Sequence, residues 1–392
     1  MKLLFFTLIF LLSLFLTGCS HSEVYAPVLP PVIITEAESS EIIYLDVKIE
    51  LQDSPLSKHE PPAGVFLGAC ITRAPALNNI SNFQSYIGVN HAIFAHTMHL
   101  GDAFPLLWVT NNIANSSAPL ITLIPPDGGN PYDLNLIKDF AAQASLLNTA
   151  TFVLLYPILQ TSNHTPGEYK AFFREAHAIF AEAAPNVALV WGIDAHNLHI
   201  ANHFFPGNNY VDWIHLTMHK EISEDGTFSD FFATFDIFND MFQEAAPLML
   251  SLAVSHYSIQ NNRHFPAQAA EKITKIYESF DRYPRLKSII YKNYNNIAGT
   301  GGIYDITTSA ALREAYRGAT SAPRFLNSIQ SNPYLQTGKI TLRTPHKAFI
   351  QDFDIFVIKE GIPRPIAEIA MEMNADFYVN LQEQILVLQM PS

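Results

Sequence analysis

The stretch TFVLLYPILQTSNHTPGEYKAFFREAHAIFAEAAPNVALVWGID, residues 151–194, decides how the rest of the chain is read. It opens on an apolar run, TFVLLYPIL, crosses a cluster of turn residues, and enters a segment of helical period, GEYKAFFREAHAIFAEA. It then returns to a second apolar run, NVALVWGID. Near-continuous apolar runs are what strands buried on both faces require, and such strands belong to parallel sheets covered by helices. The segment therefore reads as a strand–helix–strand unit.

The same unit recurs on either side. GVFLGACI, HAIFAHTM and APLITLIPP precede it, and VDWIHLTMH, PLMLSLAVS and LKSIIYKNY follow. Helical segments lie between, among them LNLIKDFAAQASLL, FSDFFATFDIFNDMFQEA and PAQAAEKITKIYESFDRY, and SAALREAYRGA closes the series. Eight apolar runs predict an α/β fold, a (β/α)8 TIM barrel; a doubly wound open sheet is the alternative the same rhythm allows. After Phe325 the pattern changes to strand, strand, the amphipathic helix RPIAEIAMEMNA, strand, strand, with a hairpin turning at Asn380 to Glu383. This is a small α+β domain of marginal size. It is expected either to dock on the barrel or to take the strand EIIYLDVKIEL (41–51) into its sheet.

The chain begins with Met1, Lys2, the apolar run LLFFTLIFLLSLFL and then LTGC, which ends at Cys19. A positive start, a short apolar stretch and small residues before a cysteine describe a secretory signal, and LTGC resembles a bacterial lipobox. The run of 14 residues is short for a membrane span, which needs about 20. The expectation is diacylglycerol on Cys19, an extracytoplasmic location, and a Pro/Ser/Glu-rich tether over 20–40. Cys70 then reads as a buried inert thiol. The expected organisation is 1–19 signal, 20–62 tether and one strand, 63–330 barrel, 331–392 small domain. A net charge of -13 and the absence of any Lys/Arg run disfavour nucleic acid as a partner.

Several stretches together are similar to family-26 glycoside hydrolases, whose best-known members are β-mannanases: GVFLGACI, HAIFAHTMHLGDAFPLLWV, APNVALVWGID, FFPGNNYVDWI, SFDRYPRLKSIIYKN and ALREAYRGATSAPRFL. The likeness is greater to the lipid-anchored Firmicutes type. The small domain, through IPRPIAEIAMEMNADFYVNLQEQILVL, resembles the copper amine oxidase N-terminal-like stalk domain of bacterial envelope proteins, a non-catalytic module. The resemblance implies two catalytic glutamates, at the ends of the fourth and seventh barrel strands. Retaining glycosidases need such a pair about 5 Å apart.

Neither glutamate is present. The acid/base position falls on Gln160, or on Leu159 with a one-residue shift; the nucleophile position falls on Leu252 or Ser251. An amide has no suitable proton to give, leucine cannot attack, and serine needs an activating base. The tyrosine expected on the sixth strand is replaced by Met218 or His219, and the aromatic position of the eighth by Lys292. Fallback carboxylates are Asp127 and Asp194, conceivable as an inverting pair. Asp127 also fits an Asp-Gly turn, and Glu168 fits the first turn of the fourth helix. Among fifteen histidines, His199 and His203 have zinc-ligand spacing, but HIANH lacks the acid of a metalloprotease motif, and no cofactor is called for. Residues expected to line a remaining cleft are Tyr156, Gln160, Trp191, Asp194, His219, His256, Tyr257, Lys292 and Tyr294. Trp213 reads as packing. Three functions stay open: an envelope pseudoenzyme binding a β-linked glycan or a protein partner, an active hydrolase with relocated carboxylates, and a structural protein whose cleft is plugged by Leu252 and Lys292.

Overall fold

The computed structural model of the protein describes residues 42–71, 77, 79–159, 163–295, 302–329 and 337–390. The expected signal with Cys19, the tether and Gln160 lie outside the described residues. After a first strand, β1 (Ile43–Pro55), the chain builds a closed parallel barrel. Its strands are β2 (Val65–Cys70), β3 (Ile93–His99), β4 (Ala118–Ile124), β5 (Thr151–Leu155), β6 (Val187–Asp194), β7 (Trp213–Lys220), β8 (Leu248–Val254) and β11 (Leu286–Lys292). Between the last two lies a short hairpin, β9 (Tyr257–Ser258) and β10 (Arg263–His264). Pairing of β11 with β2, Lys292 opposite Cys70, closes the ring and decides for the barrel over the open sheet.

The helices that follow the strands are α1 (Ile80–Ile87), α2 (Leu106–Ala114), α3 (Leu134–Ser145), α4 (Pro166–Ala183), the single turn α5 (Ala201–Phe204), α6 (Phe231–Phe242), α7 (Pro266–Glu278) and α8 (Ala310–Thr320). Local chemistry sets their starts. Asp133 and Asp230 cap α3 and α6 by accepting from the backbone N–H of Asn135 (2.9 Å) and Phe232 (2.8 Å). In α4, Pro166 and Glu168 take the first turn, and the Glu168 carboxylate accepts from the Thr165 hydroxyl; the Thr165 side chain makes no cap bond to the backbone. A two-residue strand, β12 (Phe325–Leu326), then adds beside β2.

Along every barrel strand, alternate residues face the helices and the lumen. The lumen holds Phe66, Ile93, Leu120, Phe152, Val190, Trp213, Met249 and Ile290, interleaved with small residues. A Cβ at Gly192 would lie 2.5 Å from Leu154 Cδ1 and 3.1 Å from His215 Nδ1, so the bare backbone is what leaves these side chains room. The lumen is a packed core, as the shape of an eight-stranded barrel dictates.

Residues 56–62, the end of the 20–62 stretch expected as tether and one strand, seal the N-terminal end. Glu60 is buried against Arg285 at 2.6 Å, Lys58 donates to Val187 O at 2.7 Å, and Trp213 Nε1 donates to Lys58 O at 2.7 Å. Catalysis in such barrels sits at the opposite end, so this face carries stability.

The chain then enters β13 (Thr337–Gln351), β14 (Asp354–Lys359), β15 (Ile362–Pro365), α9 (Ile366–Met373), β16 (Asp376–Asn380) and β17 (Ile385–Met390). The sheet order is β15-β14-β13-β1-β17-β16, with β1 antiparallel to β13 and parallel to β17. The N-terminal strand is thus central to the C-terminal sheet. Leu45, Val47, Ala348, Val357, Leu386 and Leu388 pack beneath Ile366 and Ala370 of α9. Strand β15 was not expected; its two prolines suit only an edge, which is where it lies. Gln243 at the end of α6 holds this sheet to the barrel, donating to Arg343 O (2.7 Å) and accepting from Arg343 N (2.8 Å). Among the described residues no helix is long and apolar enough to cross a membrane.

Candidate functional site

Strand direction places the C-terminal tips of the barrel at one mouth. Asp194 ends β6, His219 is the penultimate residue of β7 and Lys292 ends β11. Their phase is that of the lumen, so they line its upper rim. The loop after β11 returns Tyr294 and Tyr304 over the same rim.

His219 Nε2 accepts a hydrogen bond from the Tyr294 hydroxyl at 2.9 Å and lies 3.3 Å from Lys292 Nζ. An ammonium can only donate, so Nε2 carries the lone pair and the imidazole is neutral. Burial, aided by the Lys292 charge, pushes the His219 pKa down to about 3. The Lys292 ammonium also sits 5.6 Å from the centre of the Tyr294 ring, within cation–π range. The Tyr304 ring lies against His219 (5.6 Å) and Tyr294 (5.0 Å), and its hydroxyl donates to Glu221. Glu221 is exposed at the mouth, yet its carboxyl is surrounded enough that desolvation raises its pKa. Asp194 accepts from the backbone N–H of His196 (2.9 Å) and from its Nδ1 (2.7 Å).

Deeper in the lumen, His215 Nε2 bonds Ser251 Oγ at 2.8 Å. Burial, with a smaller push from Lys292, lowers the His215 pKa to about 3. The serine thus has a histidine partner that the sequence did not disclose. Both groups are buried, at 6% and 1% exposure, below the rim.

The other expected residues fall elsewhere. Leu252 and Met218 face the helix layer, not the lumen, so Leu252 cannot plug the mouth. Trp191 points the same way, packed on Phe205 (5.2 Å) and Phe242 (5.4 Å). Tyr156 is wholly buried with a positive φ of 44°; it stacks on Phe172 and donates to Pro131 O at 2.6 Å, leaving no face for a ligand. Asp127 is exposed in the turn completed by Gly128 and Gly129, at a strand tip two removed from Asp194. His256 and Tyr257 lie in the segment after β8, turned toward His264. His199 and His203 are exposed on separate short turns, and no group of three or more metal-ligating side chains converges among the described residues. Cys70 is half-buried at the tip of β2 rather than fully buried. Leu159, next to undescribed Gln160, is half-buried past the tip of β5. Glu221 and Tyr304 were missed: each sits in a loop with no motif, and only the closed ring brings those loops together.

No protein-family model and no curated protein matches the sequence. Solved structures do match in fold. An endo-β-1,4-mannanase double mutant from Cellulomonas fimi is 14% identical, with a TM-score of 0.50 over 70% of this chain and 78% of that one. A modular endo-β-1,4-mannanase of glycoside hydrolase family 26 from the same organism is 11% identical, with a TM-score of 0.52 over 86% of this chain and 91% of that one. The barrel has the family-26 mannanase-like fold; at these identities the likeness concerns fold, and function rests on the site.

Proposed function

We propose that the chain is a lipid-anchored bacterial envelope protein whose mannanase-like barrel has lost the retaining glycosidase mechanism and binds a β-linked glycan, or an envelope partner, at its C-terminal mouth. One observation carries this reading. Residues 146–167 and 245–270, which span the fourth and seventh barrel strands with their following loops, contain no aspartate or glutamate. A retaining mechanism has nothing to work with there. Lumen-facing positions on β8 are instead Met249, Ser251 and Ala253. The half-buried rim of Lys292, His219 and Tyr294, backed by the buried Tyr304 ring, offers a hydrogen-bond donor and an aromatic ring, groups of the kind that hold sugars in clefts.

The test is a pull-down of the full chain on insoluble β-mannan, β-glucan and xylan, with Tyr294→Ala and Lys292→Ala beside it. Binding that weakens in both variants is the expected result. Binding that neither variant changes, or no binding to any polymer, overturns the glycan reading at this mouth.

A second reading, an active hydrolase with relocated carboxylates, is favoured by Glu221 and Asp194. Both flank His196 at the mouth, and the raised pKa of Glu221 suits a general acid. It requires sugar release that Glu221→Gln abolishes.

A further inference from the structure

The segment after β8 makes no contribution to the rim just described, yet it holds two imidazoles against each other. Hairpin β9–β10 folds back so that His264 stands opposite Tyr257 and returns to His256. His256 Nδ1 and His264 Nδ1 are 3.4 Å apart, with ring centres at 5.5 Å and planes 31° from parallel. That separation is a long hydrogen bond, with the His256 Nδ1 lone pair facing His264 Nδ1, and a metal ion would take the place of the proton between them. The same distance matches the edge of a tetrahedron whose centre makes metal–nitrogen bonds of about 2.0–2.1 Å, an edge of roughly 3.4 Å.

The surroundings fix which nitrogen of His256 bears the lone pair. The Thr308 hydroxyl donates to Asp305 O at 2.8 Å, so its proton is already used. His256 Nε2, 3.2 Å from that same hydroxyl oxygen, must therefore be the donor. The proton sits on Nε2, and Nδ1 presents its lone pair toward His264. Metal-binding histidines are held by such an outer hydrogen bond on the far nitrogen. The backbone is fixed too: His256 N donates to Ile303 O at 3.0 Å, and Phe265 N donates to His256 O at 2.7 Å. His256 is 4% exposed, and burial first, then the neighbouring His264, lowers its pKa to about 4, so it stays neutral at ordinary pH. His264 is exposed and its ring packs on Tyr257 at 5.0 Å, leaving one side of the pair open to solvent.

We propose that His256 and His264 form a two-nitrogen site for a divalent transition-metal ion of the zinc, nickel or copper kind. Water completes the coordination, and the ion pins the β9–β10 hairpin beside the barrel mouth. Imidazole is a suitable ligand for these ions, and two ligands on a fixed hairpin give a weak, open site. The inference does not depend on the glycan-binding reading.

The experiment is calorimetric titration of Zn2+ into the metal-stripped full chain. One ion is expected to bind at micromolar concentration. His264→Ala, at an exposed position that leaves the fold intact, is expected to weaken it at least tenfold. Thr308→Val removes the acceptor that sets the His256 tautomer and is expected to weaken it about 10- to 100-fold. His203→Ala, far along the chain, leaves binding unchanged. Failure of the wild-type chain to bind Zn2+ at 100 Kd-equivalents of the expected micromolar value, or equal binding by His264→Ala, overturns the proposal.

Discussion

Lowering the pH from 7.5 to 5 tests how the barrel holds its inner polar groups. His91 and His215 are 0% and 1% exposed, and burial lowers the pKa of each from 6.5 to about 3. His91 Nε2 bonds the Tyr316 hydroxyl at 2.9 Å and His215 Nε2 bonds Ser251 Oγ at 2.8 Å, contacts that a neutral imidazole can make. Because the folded pKa lies below the unfolded one, the unfolded chain takes up protons first as the pH falls. Stability is full above about pH 6.5 and declines from there toward pH 3. At pH 5 the loss is about 1.5 units at 1.36 kcal/mol each, or roughly 2 kcal/mol per histidine and about 4 kcal/mol for the pair. Urea unfolding at the two pH values measures it. His215→Gln removes one titrating group, so its difference between pH 7.5 and 5 should be about 2 kcal/mol smaller than that of the wild type. An unchanged difference in the variant, whatever its absolute stability, would mean that His215 is not held neutral by burial.

Glu60→Gln leaves Arg285 buried without its counter-charge and is expected to cost about 3–5 kcal/mol, read by thermal or urea unfolding at pH 7.5. Gly192→Ala drives a methyl group against Leu154 and His215 and is expected to cost about 1–3 kcal/mol in the same assay. Gln243→Ala frees the Arg343 peptide from α6; a loss of about 1–3 kcal/mol and faster proteolysis of the C-terminal sheet are expected.

The alternation of apolar runs with helical segments was enough to count the barrel strands, because buried parallel strands leave few polar residues to confuse the count. That same uniformity hid the phase of each strand. In VALVWGID and LMLSLAV nearly every residue is apolar, so nothing local tells that Trp191 and Leu252 face the helices while Ser251 and Asp194 face the lumen. Pairing with neighbours fixes that phase, and pairing is non-local. The place of β1 in the distant C-terminal sheet has the same origin: its alternating pattern marks a strand and does not name a partner. At the mouth, Asp194, His219, Lys292 and Tyr294 were legible because they end apolar runs. Glu221 and Tyr304 follow no such run, and the Ser251–His215 bond joins residues 36 apart. The absence of aspartate and glutamate from residues 146–167 and 245–270 was legible outright, since it needs no register to be seen.

Reducing-sugar release from β-mannan, β-glucan and xylan by the full chain, alone and with Asp194→Asn and Glu221→Gln, decides whether the mouth cleaves glycans. No release above the blank is expected from any polymer. Release by the wild-type chain that either substitution abolishes would contradict it, and would place a working glycosidase mechanism on the neighbouring tips of β6 and β7.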